Sequence, residues 1–202
     1  MRKLLFLFTL LFSFSATMVA GDWATDILDE ASSTIKKAGN VKIGYTLSAN
    51  GASSDGYIKL KGQKFVVSVG GTTTWFDGTT MWSYIKQNEE VNVTTPTAAE
   101  VAKMNPYAFL TFYKQGYTAK KGNSTKTDHE VILTGNDAKQ YKQVVIRINK
   151  VSHLPSYICI TSAKGNVTTI NCNSLLKNQK YSDDIFKFNK KDYPNVEVVD
   201  LR

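Results

Sequence analysis

Residues 56–85 decide the fold, and they read GYIKLKGQKFVVSVGGTTTWFDGTTMWSYI. Four short runs rich in Val, Ile, Thr and aromatic residues are separated by Lys-Gly-Gln, Gly-Gly and Asp-Gly. Strands this short, joined by turns this tight, pair with their neighbours in the sequence. The stretch therefore predicts an antiparallel meander.

The same strand signals continue on both sides of this stretch. Residues 41–47 alternate apolar with polar or small side chains, and HEVILTG, KQVVIRIN, SYICITS and NVTTINC follow after residue 116. Val144, Ile146 and Ile148 form one apolar strand face, as expected for a sheet that buries that face. We predict one antiparallel sheet in two halves.

Two helical segments accompany the predicted sheet. Residues 22–38 carry acids at their start and lysines at their end, which suits the helix dipole. Their apolar stripe comprises Trp23, Ile27, Ala31 and Ile35. Between the sheet halves, Thr97 to Glu100 has capping-box spacing, and Asn105-Pro106 can begin a second helix. A curved sheet with helices on its concave side is expected.

The first residues have the composition of a secretory signal peptide. Two basic residues precede a long apolar run that ends in small side chains, and we expect cleavage near Ala20. A retained membrane helix is the alternative, and the acids that follow at once, Asp22 and Asp26, argue against it. Residues 1–20 are thus predicted to be removed, and residues 21–202 to form one exported domain.

Charge and motifs argue against several classes of protein. The formal net charge of the 202-residue chain is +8, or +6 without Arg2 and Lys3, and no run of lysines exceeds two. Charge spread in this way indicates a solvated surface with mild attraction for anionic lipid, and not a nucleic-acid interface. His129 and His153 are the only histidines, and no metal-binding or nucleophile motif is present. We expect no catalysis, no metal and no cofactor.

The two cysteines, Cys159 and Cys172, flank a turn in SYICITSAKGNVTTINC. A two-residue turn at Gly165-Asn166 places them directly opposite each other, and one at Lys164-Gly165 places them diagonally on the same face. Either register permits a cross-strand disulfide in an oxidising compartment. The alternative is a pair of small, buried apolar side chains.

The aromatic hairpin at residues 75–84 raises the question of what it faces. A two-residue Asp-Gly turn places Trp75, Trp82 and Tyr84 on one face, whereas a three-residue turn exchanges Trp75 for Phe76. One interpretation is an ordinary core. The other is a cavity for a hydrophobic ligand, because the inserted helix also carries large apolar side chains and such cavities are mostly apolar.

The order of these motifs resembles the LolA family of periplasmic outer-membrane lipoprotein carriers. The resemblance rests on the N-terminal amphipathic helix, on GYIKLKGQKFVVSV, on WFDGTTMWSYIKQNEEV, and on the ending DDIFKFNKKDYPNVEVVDLR. That ending is similar to the family's closing F-x-F strand and V-x-V-x-D-x-R tail. The resemblance implies a periplasmic α+β protein, an incomplete (half-open) antiparallel β-barrel with helices covering its concave apolar face.

The resemblance also implies a monomeric carrier for acylated lipoprotein or another lipid. Its donor would be an inner-membrane ABC transporter complex and its recipient an outer-membrane acceptor. Each buried CH₂ is worth about 0.8 kcal/mol, so a multi-acyl anchor does not cross water unshielded at a useful rate. The residues expected to line the acyl cavity are Phe65, Val67, Trp75, Trp82, Tyr84, Phe109, Leu110 and Phe112.

One position departs from the family pattern. Relatives place an Arg just after the strand that corresponds to GYIKLK, where it holds the lid, and this chain has Gly62 there. Lys61 is the expected lid contact, although an ammonium lacks the planar fork of Arg. Two alternatives stay open: a lipid- or lipoprotein-sensing envelope regulator of similar fold, and a secreted enzyme, which a cluster of His129, His153 and a carboxylate would favour.

Overall fold

The computed structural model describes residues 22–97, 100–101, 108–136 and 140–202. The predicted signal peptide, residues 1–20, and the predicted helix start at Asn105-Pro106 lie outside the described residues. The capping box before them is present: Glu100 Oε2 accepts from Thr97 N at 2.8 Å, and Thr97 Oγ1 accepts from Glu100 N at 3.3 Å.

Twelve strands of the described residues form one open sheet. In chain order they are β1 (Val41–Ala49), β2 (Ala52–Lys61), β3 (Lys64–Val69), β4 (Thr72–Phe76), β5 (Met81–Ile85), β6 (Glu90–Thr94), β7 (Thr118–Lys121), β8 (Asp128–Thr134), β9 (Tyr141–Asn149), β10 (Pro155–Ser162), β11 (Val167–Leu176) and β12 (Glu197–Asp200). Their spatial order is β12-β6-β5-β4-β3-β2-β1-β11-β10-β9-β8-β7. All neighbours are antiparallel except β12, which lies parallel to β6. The predicted meander in two halves is confirmed, and the open, curved sheet with helices fits the predicted half-open barrel.

The concave face of the sheet carries helix α1 (Trp23–Lys37) and the 3₁₀ helix η1 (Ala108–Gln115). Asp22 caps α1 by accepting from Ala24 N at 3.3 Å, and Gly39, at φ +69°, follows its end. The fully buried stripe of α1 runs one position later than predicted at its start, and it comprises Ala24, Leu28, Ala31 and Ile35. The predicted members Trp23 and Ile27 are partly buried beside it.

The main core lies between these helices and the strands β7 to β10. Val144, Ile146 and Ile148 are at most 1% exposed there, so the predicted apolar face of β9 is confirmed. Leu110 of η1 and Leu28 of α1 close the layer above them. Complete burial of a side chain of this size stabilises the fold by about 1.5–3 kcal/mol.

A second core lies on the opposite, convex face, under the C-terminal segment, residues 177–202. Val66 and Trp75 of the sheet pack there against Phe186, which is 0% exposed. The segment forms two 3₁₀ helices, η2 (Asp183–Phe186) and η3 (Lys190–Asp192), before β12. The strand expected from the F-x-F resemblance is therefore wrong: Phe186 ends a 3₁₀ helix, which turns its ring into the convex core.

The aromatic hairpin has a longer turn than predicted. Trp75 pairs with Trp82 and Phe76 with Met81, so four residues, Asp77–Thr80, connect β4 to β5. Asp77 Oδ1 closes this turn by accepting from Thr79 N and Thr80 N at 3.0 and 2.9 Å. Because four and two are both even, the longer turn leaves each side chain of β5 on the predicted face. Trp75, Trp82 and Tyr84 therefore do share one face.

The possible disulfide between Cys159 and Cys172 is absent, because both cysteines are free thiols on opposite faces of the sheet. Thr161 pairs with Val167, so Cys159 pairs with Thr169, three positions short of Cys172. Side chains alternate between faces along a strand, and an odd offset therefore separates them. Cys172 lies on the concave side of β11 and Cys159 on the convex side of β10.

Candidate functional site

A cavity of about 550 Å³ lies on the concave face, over the middle of the sheet. Strands β1, β2, β10 and β11 form its floor, and Ile35, Phe109 and Leu110 close it from the helices. Its apolar lining also includes Ile43, Tyr45, Leu47, Ile58, Val67, Leu154, Ile158, Ile170 and Leu175. The volume is within the range of about 300–1,000 Å³ typical of ligand pockets.

The cavity exists because the helices cover one half of the concave face more closely than the other. Helix α1 contacts η1 and packs over β7 and β8 at one side of the sheet. Over β1 and β11, near the centre of the sheet order, the space between helix and sheet stays open. A ligand that fills this space would cover apolar surface that the fold itself leaves unpacked.

The floor of the cavity does not favour charge. Burial raises the pKa of the Tyr45 hydroxyl to about 12 and that of the Cys172 thiol to about 11. Tyr45 is held over Gly56, where a Cβ atom would lie 2.7 Å from its ring carbon Cζ. Both groups therefore stay neutral at ordinary pH, and an uncharged, apolar ligand surface suits this floor.

Four of the eight predicted lining residues lie at a cavity. Val67, Phe109 and Leu110 line the 550 Å³ cavity. Phe65 lines a second cavity of about 370 Å³, and Ile35 of α1 stands between the two because it lines both.

The other four predicted residues line neither cavity and lie within packed cores. Trp75, Trp82 and Tyr84 are on the convex face, because Trp75 pairs with Val66, whose neighbours Phe65 and Val67 point to the concave side. Their partners are rings of the C-terminal segment; Trp75 and Phe188, for example, have centroids 5.7 Å apart. Phe112 packs in the main core, where its ring stacks on those of Tyr117 and Tyr141 at 4.9 and 5.8 Å.

Among the described residues, the partners of the Lys61 ammonium belong to the C-terminal segment and not to the helices over the cavity. Its Nζ lies 2.7 Å from Asp183 Oδ1 and donates to the Tyr181 carbonyl at 2.9 Å, so it fastens the C-terminal segment. Lys64 Nζ lies 2.7 Å from the other carboxylate oxygen of Asp183. Hydrogen bonds from Lys61 and then Lys64 hold the pKa of Asp183 at about 2. Gly62 forms the β2–β3 turn with φ +59° and lines the smaller cavity.

Several lining residues were not expected from the sequence as site residues. Tyr45, Leu47, Ile170, Cys172 and Leu175 form most of the floor on β1 and β11. The alternation in residues 41–47 marks their shared face on β1. On β11 the signal is interrupted by a bulge opposite Gly44-Tyr45, which brings both Cys172 and Leu175 to the cavity although they are three positions apart.

The histidines do not form an enclosed catalytic site. His153 Nδ1 lies 3.2 Å from Glu30 Oε1, and both side chains are largely exposed. His129 packs edge-on against Trp23, and burial lowers its pKa. In the described part of the chain no group of three or more His, Cys, Asp or Glu side chains is placed to hold a metal ion. No helix among the described residues is long and apolar enough to span a bilayer.

A half-open antiparallel barrel with an apolar cavity under its helices is the class that fold and site define. The family model described as outer membrane lipoprotein carrier protein LolA matches residues 14–164. That match covers most of the chain, and the chain therefore belongs to the LolA family.

Solved structures are similar to this chain at low sequence identity, and the first of those that follow shares its fold. An uncharacterized conserved protein from Thermus thermophilus is 10% identical with a TM-score of 0.61, covering 88% of this chain and 98% of that one. A putative outer membrane lipoprotein-sorting protein domain from Vibrio parahaemolyticus is 12% identical with a TM-score of 0.48, covering 84% and 97%. Lipoprotein LppX from Mycobacterium tuberculosis is 11% identical with a TM-score of 0.47, covering 80% and 98%. No curated protein matches the chain significantly.

Proposed function

We propose that this protein is a periplasmic carrier that binds the acyl chains of lipoproteins, or of related lipids, in the 550 Å³ cavity and shuttles them from the inner to the outer membrane. The observation that carries the proposal is the cavity itself: an open, largely apolar space between the helices and the sheet. Membership of the LolA family supports the same function. In this proposal residues 1–20 direct export and are then removed.

Binding in such a site requires no chemistry on the cargo. Each methylene group transferred from water to the cavity contributes about 0.8 kcal/mol, so a long acyl chain is bound firmly by burial alone. Release requires a recipient that offers equal burial, which an acceptor at the outer membrane would provide. A donor in the inner membrane, of the ABC transporter class, would supply the energy to extract the cargo. Val67, Phe109 and Leu110 are the predicted residues that this proposal retains as acyl contacts.

The proposal is tested by lipoprotein release from spheroplasts of the source organism. Their lipoproteins are labelled with a clickable palmitate analogue, and mature protein (residues 21–202) is added outside the cells. We expect labelled lipoproteins in the medium, in a complex with the added protein, and a smaller amount when Leu47→Trp narrows the cavity.

Two results of the release experiment would count against a carrier. If wild-type protein and Leu47→Trp release the same amount of label, the cavity is not the site of binding. If no labelled species leaves the membrane while the protein binds a membrane-anchored partner, the function is that of an envelope regulator.

A further inference from the structure

The lining of the main cavity is not uniformly apolar, and its polar residues are gathered at one edge. Among the described residues, its Asn, Ser and Lys residues come from two segments: Asn149, Ser152, Ser156, Asn173, Ser174 and Lys177. The two segments are neighbours, because β10 begins beside the end of β11, where Tyr157 pairs with Asn171. We refer to these six residues as the polar rim.

Three members of the polar rim already serve the fold. Ser156 Oγ donates to Asp128 Oδ1 at 2.7 Å. Asn149 Oδ1 accepts from the backbone of residues 151 and 152 at 3.1 and 2.9 Å, which fixes the β9–β10 turn. Asn173 Nδ2 donates to Thr46 Oγ1 at 2.8 Å. These three side chains hold the rim in place.

Two other members are available to a ligand. Within the described residues, the side chains of Ser152 and Lys177 make no hydrogen bond or ion pair with the protein. Ser174 is not available in this way, because its Oγ lies on the Gly44 face of the sheet, opposite the face of Ile43 and Tyr45. Among the described residues that line this cavity, Lys177 is the only charged one. One hydroxyl group and one ammonium thus stand unused at the edge of an apolar cavity, one on each of the two segments that border it.

We propose that the polar rim binds the head group of a lipid whose head is anionic, while its chain occupies the apolar part of the cavity. This inference rests on the proposed function and names a preferred class of lipid for the same site. Lys177 supplies the positive charge, and the hydroxyl of Ser152 donates to an anionic oxygen. Hydrogen bonds to a charged group are stronger than those between neutral groups, so the anionic head gains most from this set.

The size of the preference follows from the exposure of Lys177. This residue is exposed, so solvent screens its attraction for an anion. An ion pair of this kind changes affinity by at most about fivefold, since exposed pairs contribute about 0.2–1 kcal/mol. Burial of the chain supplies most of the binding energy, and the polar rim supplies the choice of head group.

The test compares three ligands that share a twelve-carbon chain: dodecanoate, dodecyl phosphate and the neutral monododecanoylglycerol. Their affinities for mature protein are measured by isothermal titration calorimetry below the micelle concentration, with inorganic phosphate alone as a fourth probe. We expect both anionic ligands to bind about fivefold more tightly than the neutral one, and inorganic phosphate to show no binding. A tighter dodecyl phosphate identifies a phospholipid-type head, and a tighter dodecanoate a fatty-acid head.

The matched variants are Lys177→Gln and Lys180→Gln. The first removes the exposed charge of the polar rim, and the second removes an exposed charge outside it. We expect Lys177→Gln to abolish the preference and leave the affinity for the neutral ligand unchanged, while Lys180→Gln behaves as wild type. A preference that survives Lys177→Gln, or that is absent from the wild type, overturns the head-group proposal and leaves chain binding intact. If no twelve-carbon ligand binds, the proposed function fails with it.

Discussion

Replacing Cys172 with Trp is expected to lower the affinity for acyl-chain ligands by at least tenfold. Cys172 points into the 550 Å³ cavity from β11, and the larger indole occupies space that the chain needs. Excluding only two methylene groups costs about 1.6 kcal/mol, which is already more than a tenfold loss of affinity. The measurement is titration of mature protein with dodecanoate or monododecanoylglycerol.

The control for this prediction is the same substitution at Cys159. Cys159 lies on the convex face of the neighbouring strand β10, so Cys159→Trp leaves the cavity empty and binding unchanged. Leu47→Trp narrows the cavity from β1 and repeats the experiment if Cys172→Trp folds poorly, which far-ultraviolet circular dichroism detects. Wild-type affinity in both cavity variants would place the chain elsewhere on the molecule.

Replacing Phe186 with Ala is expected to lower the free energy of unfolding by about 3–5 kcal/mol, the usual cost of removing a buried Phe. Phe186 is 0% exposed and packs against Val66 and Trp75 of the sheet, and its ring lies 5.9 Å from that of Tyr181. The substitution opens a void in the convex core. The measurement is equilibrium unfolding in urea at constant pH.

The matched control is Leu201→Ala, because Leu201 is 60% exposed near the end of the same segment. A surface change of this kind alters stability by no more than about 0.5 kcal/mol. The folded fraction of Phe186→Ala should bind dodecanoate as the wild type does, since the convex core and the cavity lie on opposite faces. A loss below about 1 kcal/mol, well under the usual cost of such a truncation, would mean that the C-terminal segment is not part of the core.

The sequence did not predict how the two faces of the sheet differ: the concave face borders the cavity, and the convex face packs under the C-terminal segment. Alternation assigns Trp75, Trp82 and Tyr84 to one face, and the structure agrees. It does not say which layer covers that face, because β3, β4 and β5 carry apolar side chains on both sides. Phe186 and Phe188, which lie far along the chain, cover the aromatic face of the hairpin. No local sequence pattern predicts such a long-range contact.

The lengths of two turns also differ from those expected. One residue more or fewer in a turn moves every side chain of the following strand to the other face. At the aromatic hairpin, the Asp77 carboxylate closes a four-residue turn. Four and two are both even, so the predicted face of the following strand was correct although the predicted turn length was not. At the β10–β11 turn, Ser162 N donates to Asn166 O, which leaves three residues, 163–165, between these two hydrogen-bonded positions, with Gly165 at φ +85°. Because this number is odd, Cys159 and Cys172 lie on opposite faces of the sheet. The alternation of apolar residues does not predict the length of the turn.

The strands, the α1 helix and the concave cover were predictable because each depends on local periodicity, turn residues or family motifs. The existence of a cavity could be predicted from the expected fold, but most of the residues that form its floor could not. Its floor on β1 and β11 depends on the bulge opposite Gly44-Tyr45 and on how far α1 and η1 reach across the sheet. Such distances are set by packing and not by sequence order, and they decided which of the large apolar residues face a ligand.

The measurement that tests the central claim most directly is native mass spectrometry of the mature protein, purified without detergent from the periplasm of its own host, followed by lipid extraction. We expect a population carrying one acylated lipoprotein or one lipid, retained by Cys159→Trp and lost from Cys172→Trp. A wild-type protein that is reproducibly empty, and that stays empty after incubation with lipoprotein released from membranes, would contradict it.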